Sequence, residues 1–176
     1  WDDSGEAEWA GENGLSPTVW GRAMGWFTVA VPDIMDYLNP GSEEYKKLAE
    51  MEANALKAVL KYRNNLGLWC QVLDRPDAED NWCETSCSCL FTYALFKSVR
   101  LGIISKDYLD DAKKAYDALI GRLKYDGEQM LIENVSVGTC IDEGDYRHYI
   151  ERRTVTNDLH GTGAFVLMCT EAEKML

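Results

Sequence analysis

Residues 15–27, LSPTVWGRAMGWF, place a guanidinium between two indoles: Trp20, Arg22 and Trp26. Arginine supplies a planar, permanently charged fork that matches a carboxylate. Tryptophan supplies a flat apolar face on which a sugar ring can stack. Arg22 and Trp26 stand four residues apart, so on a helix they share one face. The set suits holding an anionic ring compound, and Gly21 and Gly25 leave space for a ligand or for close helix packing. The structural alternative is an arginine lying over a core tryptophan, a common cation–π pair. Trp20 also opens the apolar stripe of its segment, which gives it a packing role as well.

Other polar residues have weaker claims on chemistry. Asp2 and Asp3 read as cleft acids or as solvated acids near a chain end. Glu84 and Ser86 open an apolar segment and could either point into a cleft or cap a helix. Asn157, Asp158 and His160 head the last apolar segment, where capping is the expected role. Gln71 and Asp74 in QVLD are expected to order their loop, and RPDAED and EEYKK are solvated charge. No phosphate-cradling glycine loop and no serine–histidine–acid set is present. Six cysteines permit disulfides, but Cys83, Cys87 and Cys89 fall within seven residues of an apolar stretch that reads as helix, with Cys83 and Cys87 on one face. A zinc site there would need a remote fourth ligand, His148 or His160. Buried reduced thiols are the expectation, with no metal. They point to a reducing compartment such as the cytoplasm, with the bacterial periplasm as the alternative.

The elements that must position these groups alternate in character. Residues 17–38 carry apolar side chains at helical spacing, with Ser16-Pro17 as cap and first turn and Pro32 predicting a kink or a shorter helix. Residues 42–63 read as a surface helix capped by Ser42, with one stripe of Leu48, Met51, Ala55, Val59 and Leu60. Residues 84–101 are apolar nearly all round and can end at Gly102. Residues 106–123 are amphipathic again, and residues 159–175 return to the buried type. QMLIENVSV reads as a short strand or extended loop. Long connections, 64–83 and 124–158, precede buried helices, and short ones, 39–42 and 102–105, follow them. ENGLSPTVW and NNLGLWCQV form a weak repeat ahead of two buried helices. Inner helices ringed by outer ones give this alternation, with all long loops at one end.

The totals agree with one folded unit of 176 residues, since 46% hydrophobic and 11% aromatic content excludes disorder. A net charge of −12 argues against nucleic acid and anionic membrane as partners. It leaves an anionic small substrate open, because exposed charges are screened beyond about 8–10 Å. No run of eighteen apolar residues exists to span a membrane. Three inner and two outer helices make only an open arc, whose ends would expose apolar surface. The arc therefore calls for a second copy or for further chain to complete the ring.

LSPTVWGRAMGWFTVAVPDIMDYL, GLWCQVLDRP, NWCETSCSCLFTYALFKSVRLGII and VTNDLHGTGAFVLMCTEAE resemble, in order, the C-terminal half of the unsaturated rhamnogalacturonyl hydrolases of glycoside hydrolase family 105. The unsaturated glucuronyl hydrolases of family 88 are related. The resemblance implies an all-α (α/α)6 toroid of which residues 1–176 form about half, as a single domain. It implies removal of 4,5-unsaturated galacturonyl residues from pectin-derived oligosaccharides by hydration of a vinyl ether, with no cofactor. The alternatives are action on glycosaminoglycan fragments, or a helical carbohydrate-binding module without catalysis. In the family the catalytic aspartate lies in the N-terminal half, so it is expected upstream of residue 1. A functional histidine precedes a Gly-Trp-Asp segment there, and Trp1-Asp2 resembles that segment's tail. Trp1, Trp20, Arg22 and Trp26 match substrate-holding positions. The implied partners are an anionic oligosaccharide and the N-terminal half of the ring or a second copy.

Overall fold

A computed structural model describes residues 7–10, 13–140 and 144–176. Trp1, Asp2 and Asp3 lie outside the described residues. The chain folds as helix α1 (Gly21–Met35), α2 (Glu43–Leu60), α3 (Thr85–Arg100), a single 3-10 turn (Lys106–Tyr108) running into α4 (Leu109–Ile120), a hairpin of β1 (Lys124–Asp126) and β2 (Gln129–Leu131), then β3 (Val135–Ser136), a short α5 (Tyr146–Ile150), β4 (Thr154–Val155) and α6 (Leu159–Ala172). The two small sheets are both antiparallel, with Tyr125 opposite Met130 and Val135 opposite Val155.

α3 is the axis of the fold. Residues Ser86 to Val99 are buried without interruption, because α3 packs against α1 on one side, α6 on the other and α4 and α2 behind. A helix enclosed on all sides must be apolar all round, which is how its sequence reads. α1, α3 and α6 thus form an inner row, and α2 and α4 an outer one, as an (α/α)6 toroid requires of half its ring. One core cluster joins Leu56, Trp69, Phe91, Phe96 and Ala115 across the outer row. A second joins Val29, Leu90, Phe165, Met168 and Val135 along the inner one. The two ends of the arc remain open: α1 exposes Trp26, Phe27 and Ile34, and α6 exposes Leu159 and Val166.

The helix ends follow local chemistry. Ser42 Oγ accepts from Tyr45 N at 3.1 Å and caps α2. Gly102 takes φ of 72° after α3, and the amide of Ile103 donates back to Ser98 O at 2.8 Å. Asp158 caps α6 through His160 N, while Asn157 (φ 58°) accepts from Ile132 N at 2.8 Å and ties the hairpin to the helix start.

Four expectations need correction. α1 does not begin at Pro17; residues 18–20 are extended, because Trp20 bridges Val72 and the Leu73 amide donates to Val19 O. Backbone pairing wins over helix propensity there. Pro32 does not break α1, which continues through it to Met35, although the helix ends short of Leu38. The buried stripe of α2 runs through Glu52, Leu56 and Val59, and Met51 is exposed; a charged residue occupies the position that the apolar pattern skipped. Cys83 lies before α3 rather than on it, opposite Cys70. The short α5 and β4 carry no clear sequence signal, being too brief to show a period.

Candidate functional site

The N-terminal ends of α1 and α3 meet the β3–β4 ladder at one end of the arc. The chain at 69–73 runs between the extended residues 18–20 and the segment 82–84, held by Gly21 N to Gln71 O and Gln71 N to Trp82 O, both 2.9 Å. Thr85 N donates to Asn134 O at 3.0 Å and brings β3 onto the same end. Main-chain pairing therefore fixes where Trp20, Arg22, Gln71, Glu84 and Ser136 stand.

Arg22 is enclosed, at 2% exposure. Its guanidinium donates to the carbonyls of Ser136 and, at 3.5 Å, Val137, and lies 3.5 Å from Glu84 Oε1. Its carbon sits 5.4 Å from the Trp20 ring centroid, a cation–π contact. Only Nε finds no partner. Glu84 caps its helix and, being fully buried, opens onto no cleft. Oε2 caps α3 through Cys87 N at 2.6 Å and takes the Ser86 hydroxyl at 2.7 Å, while Oε1 accepts from Ser136 N at 3.0 Å and faces Arg22. An anion with three donors and a cation has no lone pair left for acid–base work. Gln71 joins the set: Trp20 Nε1 donates to its Oε1 at 3.2 Å, and its Nε2 donates to Ser136 Oγ and Tyr149 O, both 3.1 Å.

Around this sealed cluster stand the accessible groups. Trp20 stacks on Tyr149 with ring centroids 5.3 Å apart and planes 17° from parallel. Together with Leu15, Val19, Met24 and Thr139 they border an open, mainly apolar pocket of about 360 Å³. Trp26 is 43% exposed on the open side of α1. His160 stands 44% exposed at the head of α6, its Nδ1 2.7 Å from Asp158 Oδ1. Burial works against the Asp158 anion, but the hydrogen bonds from the backbone N–H and ring of His160 outweigh it and hold that carboxyl below its usual range.

The structure thus brings Trp20 and Arg22 into one cluster and leaves Trp26 apart from it, one turn along and facing outward. Gly21 and Gly25 do not make room for a ligand. A Cβ on Gly21 would stand 2.9 Å from Cys70 O, and one on Gly25 2.9 Å from Leu90, so both serve close packing against the neighbouring chain. Sequence reasoning gave Gln71 only a loop-ordering role and did not single out Ser136 or Tyr149; their parts arise from pairings 65 to 129 positions apart, which no local pattern carries. Among the described residues no three His, Cys, Asp or Glu side chains gather as metal ligands.

Comparison with known proteins places this architecture. A profile of Glycosyl Hydrolase Family 88 matches residues 1–176. Protein Atu3128 of Agrobacterium fabrum is 34% identical over 190 residues, covering 100% of this chain and 80% of that protein. Unsaturated rhamnogalacturonyl hydrolase YesR of Bacillus subtilis is 26% identical over 130 residues, covering 74% of this chain and 34% of YesR. Among solved structures, a family 105 glycoside hydrolase from C. acetobutylicum superposes with a TM-score of 0.93 at 32% identity, covering 99% of this chain and 51% of that one. The chain thus spans about half of that structure and about a third of YesR. By profile, fold and relatives together, it belongs to the glycosyl hydrolase family 88 and 105 group.

Proposed function

We propose that these 176 residues are the substrate-holding half of a ring that removes 4,5-unsaturated galacturonyl residues from rhamnogalacturonan oligosaccharides. The observation that carries this reading is a buried, ion-paired Arg22 with Trp20 over its guanidinium and an exposed Trp26 one turn along α1. The Trp26 face suits stacking on a sugar ring, and Arg22 supplies positive potential for the uronate. YesR, an unsaturated rhamnogalacturonyl hydrolase by name, favours the pectin-derived substrate over a glycosaminoglycan one.

The chemistry asks for a carboxyl acid that protonates the vinyl ether at C4 while water adds at C5, giving a hemiketal that opens and releases the remaining sugar. Glu84 cannot be that acid, because its oxygens are fully engaged. The acid is assigned to chain that completes the ring. Arg22 acts here mainly through its position: direct contact with the uronate requires it to release Val137 O, its longer bond at 3.5 Å. Further chain over the open face can only bury Arg22 more, so the exposed Trp26 and the half-buried Trp20 are the first points of substrate contact.

The test follows the ultraviolet absorbance of the conjugated double bond in an unsaturated rhamnogalacturonan disaccharide. No turnover is expected from residues 1–176 alone, and turnover is expected once the ring is complete. Turnover of an unsaturated glycosaminoglycan disaccharide but not of the rhamnogalacturonan one would overturn the substrate assignment. Binding without turnover in the complete ring would make the protein a carbohydrate-binding module.

A further inference from the structure

The six cysteines are all thiols rather than disulfides, and they are not equivalent. Cys87 and Cys89 are sealed within α3, where burial pushes both thiols well up and makes them inert. Cys70 and Cys83 form a pair. They face each other across the antiparallel run ahead of α3. The bonds Gln71 N to Trp82 O (2.9 Å) and Glu84 N to Trp69 O (3.1 Å) flank them on either side. Cys70 and Cys83 therefore occupy a non-hydrogen-bonded position, where opposed Cα atoms lie about 4.5 Å apart and side chains come closest. That spacing falls within the roughly 4.4–6.8 Å that a disulfide spans.

The surroundings divide the two thiols by role. The two thiols face one another, and Asn64 Nδ2 approaches both, at 2.9 Å from Cys83 Sγ and 4.0 Å from Cys70 Sγ. The adjacent Cys70 thiol favours the Cys83 anion, burial opposes it, and Asn64 and the Arg122 guanidinium favour it further, so the Cys83 thiol comes down to about 6. Cys70, which keeps the shared proton, is buried and pushed well up. At neutral pH Cys83 is the nucleophile, half-buried and so open to small reagents, and Cys70 stands behind it. Nothing in the proposed sugar chemistry uses either one.

We propose that Cys70 and Cys83 form an oxidative modification site, a dithiol that a peroxide converts into a cross-strand disulfide. The Cys83 thiolate attacks one oxygen of hydrogen peroxide, the O–O bond breaks, and the departing hydroxide takes up a proton as water, leaving a sulfenic acid. The Cys70 sulfur then attacks the Cys83 sulfur. The S–S bond forms as the S–O bond breaks, and the second hydroxide leaves with the Cys70 proton as water. Two thiols have lost two electrons to one peroxide. The product fastens the loop that carries Gln71 and leads into Glu84, so oxidation stiffens the end of the arc where Trp20 and Arg22 are held.

The experiment treats the full chain under native conditions with one equivalent of hydrogen peroxide, alkylates the remaining thiols, and maps peptides by mass. A linked Cys70–Cys83 peptide is expected, with dithiothreitol restoring both thiols. The oxidised chain is expected to melt roughly 5–10 °C higher, on the scale for closing a loop of this size. Cys70→Ser should leave a sulfenic acid at Cys83 that dimedone traps. The proposal is overturned if Cys83 stays alkylatable while the exposed Cys140 is oxidised, or if dimedone labels Cys83 equally with Cys70 present. Should the serine variant misfold, the mapping of the unsubstituted chain decides alone. Sugar hydrolysis is no part of this readout, so it stands or falls apart from the enzymatic reading.

Discussion

Among the described residues, Glu84 and Glu52 are glutamates with no exposed surface, and they have opposite surroundings. Glu84, at the start of α3, meets Arg22 and accepts from Ser136 N, Cys87 N and the Ser86 hydroxyl. Glu52, midway along α2, has neither oxygen hydrogen-bonded. Burial raises its carboxyl from 4.5 to about 8, and the nearby Ser98 hydroxyl only slightly offsets that. A buried carboxylate is tolerable where donors and a cation replace its water, and otherwise it keeps its proton. The partnered glutamate stands at the end of the arc where the site is built, and the neutral one lies in the seam between inner and outer helices. Depth does not decide the state of a buried acid; its neighbours do.

Removing the cation gives the strongest way to break this contrast. Arg22→Ala leaves Glu84 buried without its counter-charge and empties the space between Trp20 and β3. A loss of about 3–5 kcal/mol in folding stability is expected at neutral pH, measured by urea unfolding. Adding Glu84→Gln to Arg22→Ala should recover part of that loss, since the stranded charge is then gone. A loss under about 1 kcal/mol for Arg22→Ala would show that Glu84 is satisfied by its amide donors alone. Any fall in substrate binding by this variant has to be scored on the folded fraction, because the same residue serves both ends.

The second contrast is in pH. Glu52 binds its proton more tightly folded than unfolded, so its contribution is fully present below its ordinary value of 4.5 and is lost as pH rises to about 8. Stability should fall by roughly 2–4 kcal/mol across that window and level off above it. Glu52→Met, similar in volume and without the charge, should remove this slope and be more stable than the parent at pH 9. Equal slopes in both proteins would mean that the carboxyl ionises at no cost and that water reaches it.

How much of this was legible in the sequence follows from the range of each signal. The inner and outer helices were, because α3 is apolar on every face and α4 on one, and these patterns repeat within a few residues. So were the Ser42 and Asp158 caps and the Gly102 stop, which depend on neighbours two to five residues away. Glu52 was not, because a charged letter in a stripe reads as surface, and only the packing of α2 on α3 shows otherwise. Trp20 and Arg22 were legible as a pair but not as an enclosed one, since what encloses them, Ser136 and Tyr149, arrives from more than a hundred positions along the chain. The pairing of Cys70 with Cys83 was hidden by the nearer spacing of Cys83, Cys87 and Cys89. Local chemistry shows through in sequence, and long-range partners do not.

The finest test of the contrast is Ser98, whose hydroxyl lies beside Glu52. Its hydroxyl lies close enough to favour the Glu52 anion, yet it meets no hydrogen-bond geometry, so its help is weak. Ser98→Ala removes that help from the ionised state alone. At pH 6, where Glu52 is protonated, stability should change by less than about 0.5 kcal/mol, the range of a substitution that breaks no defined contact. At pH 9 the variant should be slightly less stable than the parent, because its native anion has lost a favourable dipole. Urea unfolding at both pH values separates the two. A loss above about 1.5 kcal/mol at both would mean that Ser98 bonds the protonated carboxyl firmly. Glu52 would then be a partnered acid like Glu84, distinguished only by the absence of a cation, and the contrast between the two glutamates would reduce to the presence of Arg22.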